Sequence, residues 1–441
     1  MVSVPEPSLA RLGGARLSSV DRCYWQDDVP LPVAPATALP AQVDVLVVGS
    51  GYTGLAAARE TALAGRSTLV LDAGALGGGC SSRNGGQVAF SIKPSHAELV
   101  ARHGAAIADG IYREGMEAVA ELRERAISGE LDCDWRDVGA FVGAHTRRHY
   151  QALVRSVEQQ PRGFEVPFEV VPAARQAEAI DSPLYRGGVV FPAEAAVHPL
   201  RLVAAMHRQA VEAGAQFASH CEVRSIERNR DGLEVATATG TVRARRVLLA
   251  TNGYSGPLSP WHRRRVFPIG SYIVATELLD PAVVARLIPH GRNLGDTRRV
   301  VVYIRPSPDG RRILFGGRAA AGETDIARCV PRLRQMLGEV FPELAQVGIT
   351  HAWMGFVGFT FDTMPHLGER DGVYYSMGYC GQGVPSATYY GRRVGRWMAD
   401  RPGGESALRN LPFPSRPYYT GRPWFLPIAV QGYRWLDRLG L

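Results

Sequence analysis

Lysine is almost missing from this 441-residue chain: Lys93 stands alone against 49 arginines, and the formal net charge is +8. A surplus of that sign could serve nucleic acid. The basic clusters Arg263-Arg264-Arg265 and Arg311-Arg312 are short, however, and carry no interleaved aromatic recognition motif, so no nucleic-acid partner is expected. Cysteine is scarce too. Cys23, Cys80, Cys133, Cys221, Cys329 and Cys380 form no C-x-x-C pair and no metal-ligand spacing, which predicts free thiols and no metal site. No apolar run approaches the roughly 20 residues that cross a bilayer. The opening MVSVPEPSLARLGG lacks the apolar stretch of a signal peptide, so a cytoplasmic location is expected. No repeat of fixed period appears, which argues against a solenoid or propeller. What remains, at 46% hydrophobic and 21% charged residues, is an ordinary globular composition in a chain long enough for two domains.

What is present is concentrated in residues 43–54, VDVLVVGSGYTG. Its Val-rich start reads as a strand buried on both faces. Gly49, Gly51 and Gly54 follow at G-x-G-x-x-G spacing, then a helical run ending at Gly65, then a second apolar strand ending in Asp72. Together these form a complete βαβ dinucleotide-binding unit with an acidic partner for the adenosine ribose. Gly49 permits the tight turn, Gly51 lets the backbone approach a pyrophosphate, and Gly54 lets the helix pack close to the sheet. The helix N-terminus offers free N–H groups to the anion.

The rest of the chain reads as α/β. Residues 1–41 read as an irregular arm. Residues 42–98, 195–256 and 350–400 are assigned to the dinucleotide domain, 99–194 and 257–349 to the substrate domain, and 401–441 to a C-terminal tail. Residues 96–126 are helical by period, with Gly104, Gly110 and Gly115 as possible breaks, and WRDVGAFVGAH reads as a strand pair. VVYIRPSPDGRRILFGG reads as a hairpin by its Pro-Asp-Gly turn.

The βαβ unit alone does not separate NAD from FAD, and an NAD-dependent dehydrogenase remains an alternative. Two downstream features favour a flavin. The loop AGALGGGCSSRNGGQ directly follows Asp72, and a second glycine-turn-to-helix unit, GYCGQGVPSA, sits near the far end of the chain. A helix N-terminus there can face the pyrimidine end of an isoalloxazine, where negative charge develops on reduction.

GSGYTGLAAA, CSSRNGGQ, HP at 198–199, ATNG at 250–253, RRILFGG at 311–317 and GYCGQG at 378–383 together resemble the glycine/D-amino-acid oxidase superfamily. The resemblance is closest to the γ-glutamylputrescine oxidase-like branch, from roughly residue 20 onward. It implies a discontinuous Rossmann-like FAD domain with a second, substrate domain on a mainly antiparallel sheet, oxidation of a C–N bond of a γ-glutamyl amine, polyamine or secondary amino acid, and oxygen as acceptor. A quinone or other non-oxygen acceptor is the alternative.

Carried over by position, Gly49, Gly51, Tyr52, Thr53 and Gly54 would hold the pyrophosphate, and Asp72 and Ala73 the adenosine ribose. Cys80, Ser81, Ser82, Arg83, Asn84, Gly85, Gly86 and Gln87 would line the ribityl chain and ring. Val223 matches the position whose backbone meets the adenine, with a plain strand residue as the alternative. Thr251 and Gly253 match the second dinucleotide-side turn, and Gly381, Gln382, Gly383 and Val384 the flavin carbonyl end. Two departures matter. WMGFVGFTFD, residues 353–362, has no cysteine for covalent attachment, so FAD is expected to be non-covalent. Pro385 stands where related enzymes of small N-methyl amino acids place a carboxylate-binding lysine.

Tyr272, Tyr303, Trp353, Phe356 and Phe359 are candidates for an aromatic substrate lining, with core packing as the alternative. The solitary Lys93 is a candidate for stabilising negative charge on reduced flavin or superoxide, with a solvated lysine as the alternative. Arg305 could hold a substrate carboxylate or form a surface ion pair. Cys380 reads as a small apolar filler, and His198 as fixing a helix start. The tail YYTGRPWFLPIAVQGYRWLDRLGL is a membrane- or partner-docking helix, or a segment packed on its own domain.

Overall fold

The computed structural model describes residues 22–35, 38–90, 92–230, 232–318 and 325–440. Most of the expected arm, residues 1–21, lies outside them. Two eight-stranded sheets organise the described chain. The first has the order His366–Arg370, Val373–Met377, Thr241–Leu249, Gln42–Val48, Thr68–Leu71, Gln216–Ala218. From Val373–Met377 to Gln216–Ala218 every pairing is parallel. Strands Val223–Asn229 and Gly232–Thr237 form a meander on the early half of Thr241–Leu249. The short strand 216–218 was not legible in the sequence.

The second sheet runs Ile349–Thr360, Val266–Thr276, Ile313–Gly317, Val302–Pro306, Asn293–Asp296, Ala140–Gly143, Gly187–Phe191, Glu169–Pro172. It is antiparallel except where Asn293–Asp296 meets Ala140–Gly143. The expected hairpin at 302–317 forms. The expected strand pair at 135–145 is a single strand, Ala140–Gly143, because its partners come from elsewhere in the chain.

Three expectations about organisation change. The strand Ile349–Thr360 pairs along its whole length with Val266–Thr276, so the boundary placed at residue 350 falls inside the second sheet. Only Gly104, at φ 84°, breaks the helical stretch, giving His96–His103 and Ala105–Ile127; Gly110 and Gly115 remain inside the second helix. The second helix also joins the core around the first sheet, through Ala108, Ile111 and Leu122. The end of the arm is anchored in that same core by the buried Cys23 and Trp25.

The two ends of the chain meet through small residues. A Cβ added at Gly391 would lie 2.6 Å from the Thr53 carbonyl oxygen, and one at Gly395 would lie 2.7 Å from that of Ala57. The helix Gly383–Met398 therefore packs directly on the helix Tyr52–Leu63. That close approach brings both helix N-termini to one cleft.

Candidate active site

Each fingerprint glycine has a distinct steric task. Gly49 is left-handed at φ 103°, and a Cβ there would lie 2.9 Å from the Ala250 oxygen. At Gly54 a Cβ would meet the Gly49 oxygen at 1.9 Å, so this glycine sets helix–strand packing rather than touching a ligand. At Gly51 the only close atom is the Ser81 Oγ, 2.7 Å away. Ser81 Oγ accepts from the Tyr52 N–H at 3.1 Å, joining the turn to the loop after the second strand. The acidic residue ending that strand is firmly held: Asp72 Oδ2 accepts from the Ser50 N–H and hydroxyl, and Oδ1 from the Gly74 N–H. Ser50 is fully buried, and its hydroxyl also accepts from the Gly77 N–H.

A cleft of about 610 Å³ opens above these turns. Gly49, Gly51, Tyr52, Thr53, Asp72, Ala73 and Val223 line it. Cys80, Ser81, Asn84 and Thr251 line it as well. Gly381, Gly383 and Val384 bring the start of the helix Gly383–Met398 to the same cleft. Sequence reading missed Asn252, Tyr254 and Tyr379, which also line it. The Tyr254 hydroxyl accepts from the Phe356 N–H at 3.0 Å, tying the second sheet to the cleft. Tyr379 bonds Thr53 at 2.6 Å and Ser376 at 2.8 Å, and burial pushes its hydroxyl up to about 12.

Several expected residues serve the cleft from behind. Gly253 gives room for the strand Ile349–Thr360, since a Cβ there would be 3.1 Å from the Gly358 nitrogen. Ser82 is buried and bonds the Gly79 carbonyl, while Arg83 donates to the Gly78 and Met354 carbonyls. Gln382 precedes the helix and bonds the Tyr379 carbonyl through its own N–H.

The RNGGQ loop is pinned from four directions. Trp353 is wholly buried and donates Nε1 to the Arg83 carbonyl at 2.8 Å, and Trp25 donates to the Asn84 carbonyl at 2.9 Å. Gln87 donates to the Ile304 carbonyl at 3.1 Å. Arg305 donates Nη1 to the carbonyls of Gly85, Gly86 and Val197, at 3.1, 3.3 and 2.9 Å. Its Nε donates to the Pro306 carbonyl. Gly86, at φ 68°, has no room for a side chain beside Val197 and Arg305.

Two catalytic candidates are corrected by this arrangement. Arg305 is only 4% exposed and its bonds go to main-chain carbonyls, so it is neither a surface ion pair nor a free carboxylate anchor. Burial lowers its pKa to about 10, which leaves it charged at neutral pH. Trp353 and Tyr272 are core residues with no exposed surface. A third candidate also moves: Lys93 is exposed and outside the cleft lining, with its ammonium 5.7 Å from the Phe359 ring centre.

Tyr303 packs beside the RNGGQ loop. A Cβ on Gly85 would lie 3.2 Å from its ring, and its hydroxyl shares a 2.7 Å hydrogen bond with Ser271. Burial pushes that hydroxyl up to about 12, so it stays protonated. His198 caps the helix Pro199–Glu212 by accepting from the Arg201 N–H. Burial pulls its imidazole down to about 4, so it is neutral.

The family profile described as FAD dependent oxidoreductase (DAO) matches residues 44–397. The chain belongs to this family of FAD-dependent oxidoreductases. That assignment replaces the NAD alternative left open by the βαβ unit. The oxidoreductase is 32% identical to a probable oxidoreductase OrdL of Rhizobium meliloti (strain 1021), across 94% of this chain and 97% of that protein. It is 30% identical to the gamma-glutamylputrescine oxidoreductase of Escherichia coli (strain K12), across 90% of this chain and 93% of that one. Among solved structures, glycine oxidase from Geobacillus kaustophilus superposes with a TM-score of 0.69 at 22% identity, covering 86% of this chain and 100% of that chain. The likeness to glycine oxidase shows the shared fold.

The cleft fits FAD. It is lined by the left-handed turn at Gly49 and by the starts of the helices Tyr52–Leu63 and Gly383–Met398, and a fixed carboxylate stands at the strand end. First-turn N–H groups of a helix lack intrahelical partners and attract negative charge.

Proposed function

We propose that this oxidoreductase oxidises the carbon–nitrogen bond of an amine or amino acid to an imine, which water hydrolyses. The substrate class is a γ-glutamyl amine, polyamine or secondary amino acid, and oxygen is the acceptor, giving hydrogen peroxide. When bound, FAD supplies the acceptor for the hydride that leaves the carbon next to nitrogen. Gly49, Gly51 and the start of the helix Tyr52–Leu63 would hold its pyrophosphate, Asp72 its ribose, and Gly381, Gly383 and Val384 its carbonyl end. The thiols of Cys80 and Cys380 are both pushed up to about 11 by burial, so neither offers a thiolate at neutral pH, which supports non-covalent attachment.

On the substrate side, Tyr303 and Ser271 would orient the amine, and the partly buried rings of Phe356 and Phe359 would keep it dry. Desolvation lowers an ammonium's pKa and so favours the free amine that oxidation needs. The observation that carries the substrate class is the likeness, across nine-tenths of the chain, to a gamma-glutamylputrescine oxidoreductase. The structure supports it: Arg305 is committed to the RNGGQ loop and position 385 is proline, so neither offers a clamp for a carboxylate beside the reacting carbon.

The test is an anaerobic screen of γ-glutamyl amines, polyamines, and N-methyl and cyclic amino acids for loss of flavin colour. Bleaching by a γ-glutamyl amine or polyamine, with peroxide formed in air, is the expected result. No bleaching by any compound ends the reading. Bleaching without peroxide in air moves the acceptor to a quinone or another non-oxygen oxidant.

A further inference from the structure

Every large aromatic side chain that stands exposed among the described residues lies in one short segment: Tyr418 at 52%, Trp424 at 56%, Tyr433 at 46% and Trp435 at 63%. Ile428, in the same segment, is 70% exposed. On the helix Leu426–Leu439, Ile428 and Trp435 are two turns apart and share a face, and Trp424 precedes Ile428 by one turn. The opposite face holds the segment to the protein. Leu426 and Val430 are buried, and the Asp437 carboxylate accepts from the N–H groups of Arg299 and Val300. Tyr419 and Phe425 pack with Phe267 and Phe361 at the ends of the second-sheet strands. The tail is therefore docked on one side and bare on the other.

The charge around this bare face has one sign. Residues 406–436 contain four arginines and no carboxylate. The basic cluster at 263–265 packs against the same stretch: the Arg263 guanidinium lies beside Gly421, and Arg265 donates to the Phe413 carbonyl at 2.8 Å. Arg264, Arg416 and Arg422 are exposed. None of Arg263, Arg264, Arg416 and Arg422 has a carboxylate within ion-pair distance among the described residues.

We propose that this face, built by Tyr418, Trp424, Ile428, Trp435 and the arginines beside them, docks the enzyme on an anionic phospholipid surface. Tryptophan and tyrosine favour the membrane interface, where a ring can be buried while its polar edge stays wet. Arginines around such a face add attraction to acidic headgroups, on the order of fivefold in affinity each. No helix of the described residues is long and apolar enough to cross a membrane, so the contact is peripheral. Nucleic acid would use the arginines and rings but gives no role to Ile428, the most exposed of the five. An acidic lipid surface uses all of them.

The experiment is co-sedimentation of the flavin-loaded enzyme with vesicles of phosphatidylcholine alone and of phosphatidylcholine mixed with phosphatidylglycerol, at low and high salt. The wild type should bind the mixed vesicles, weakly or not at all the neutral ones, and lose binding as salt rises. The double variant Trp424→Ser/Trp435→Ser should lose about tenfold in affinity through its missing apolar contacts. Arg264→Gln/Arg422→Gln should weaken binding to mixed vesicles only. All variants should keep wild-type flavin content and turnover in the absence of vesicles. Absence of binding to phosphatidylglycerol vesicles, or a tryptophan variant that binds like wild type, would overturn the proposal. A concentration-dependent dimer abolished by the tryptophan variant, without vesicle binding, would give the face to a second copy of the chain.

Discussion

Replacing Arg305 with methionine separates the role its geometry gives it from the one its position in the sequence suggested. The guanidinium crosses from the second sheet to the RNGGQ loop and satisfies the Gly85, Gly86 and Val197 carbonyls. Methionine fills most of the space but donates nothing. The Gly86 carbonyl keeps a partner in the Val197 N–H, at 2.8 Å. Those of Gly85 and Val197 lose the bonds described, at about 1–2 kcal/mol each. Removing a buried cation returns part of that, leaving a net loss of about 2–3 kcal/mol in stability. The freed loop carries Asn84, which lines the cleft, so FAD affinity should fall about tenfold, equivalent to about 1.4 kcal/mol. Arg305→Lys keeps a charge but not the planar fork, and should recover little. The assays are denaturant midpoints of the apoprotein and FAD titration by quenching of flavin fluorescence. Unchanged stability and FAD affinity, with KM raised only for substrates bearing a carboxylate, would refute the positioning role and restore the substrate anchor.

Gly51→Ala and Gly54→Ala should fail differently. The first meets only a rotatable hydroxyl, so it should fold and lose FAD binding, whereas the second strikes backbone at 1.9 Å and should yield little soluble protein. His198, folded pKa about 4 against roughly 6.5 unfolded, stabilises fully above the unfolded value and loses that contribution as pH falls through this window. Between pH 7 and pH 5 this amounts to about 2 kcal/mol, and His198→Asn, which preserves a cap, should remove that share of the acid sensitivity in denaturation curves. Lys93→Met should leave flavin reduction and reoxidation rates within about twofold, because the ammonium lies outside the cleft; a large change in either half-reaction by stopped flow would return Lys93 to the mechanism.

The parts of the fold visible in the sequence were those with local signatures. Gly49, Gly51, Gly54 and Asp72 announce their turn and strand ends because each task excludes almost every other residue type. The hairpin at 302–317 was marked by its turn. The parts not visible depend on distant partners. Nothing local to VVYIRP indicates that Arg305 will be met by three carbonyls from segments more than a hundred positions away. Trp25 looked like arm, and only the folded core shows it bonding the Asn84 carbonyl; a tryptophan inside a Pro-rich stretch was the available hint. Trp353 and Tyr272 were open to two readings, substrate lining and core, since alternation along a strand does not say which face meets a ligand. The Tyr379–Thr53–Ser376 contact joins opposite ends of the chain and has no sequence signal at all.

One cleft, lined by segments from both halves of the polypeptide, would hold one FAD without a covalent bond. Heat-denaturing the purified protein and measuring flavin in the supernatant and in the pellet tests this directly. One FAD per chain released, with none left on the protein, is the predicted result. Flavin retained on the precipitate would contradict the non-covalent site, and a colourless protein that takes up no added FAD would contradict the cleft itself.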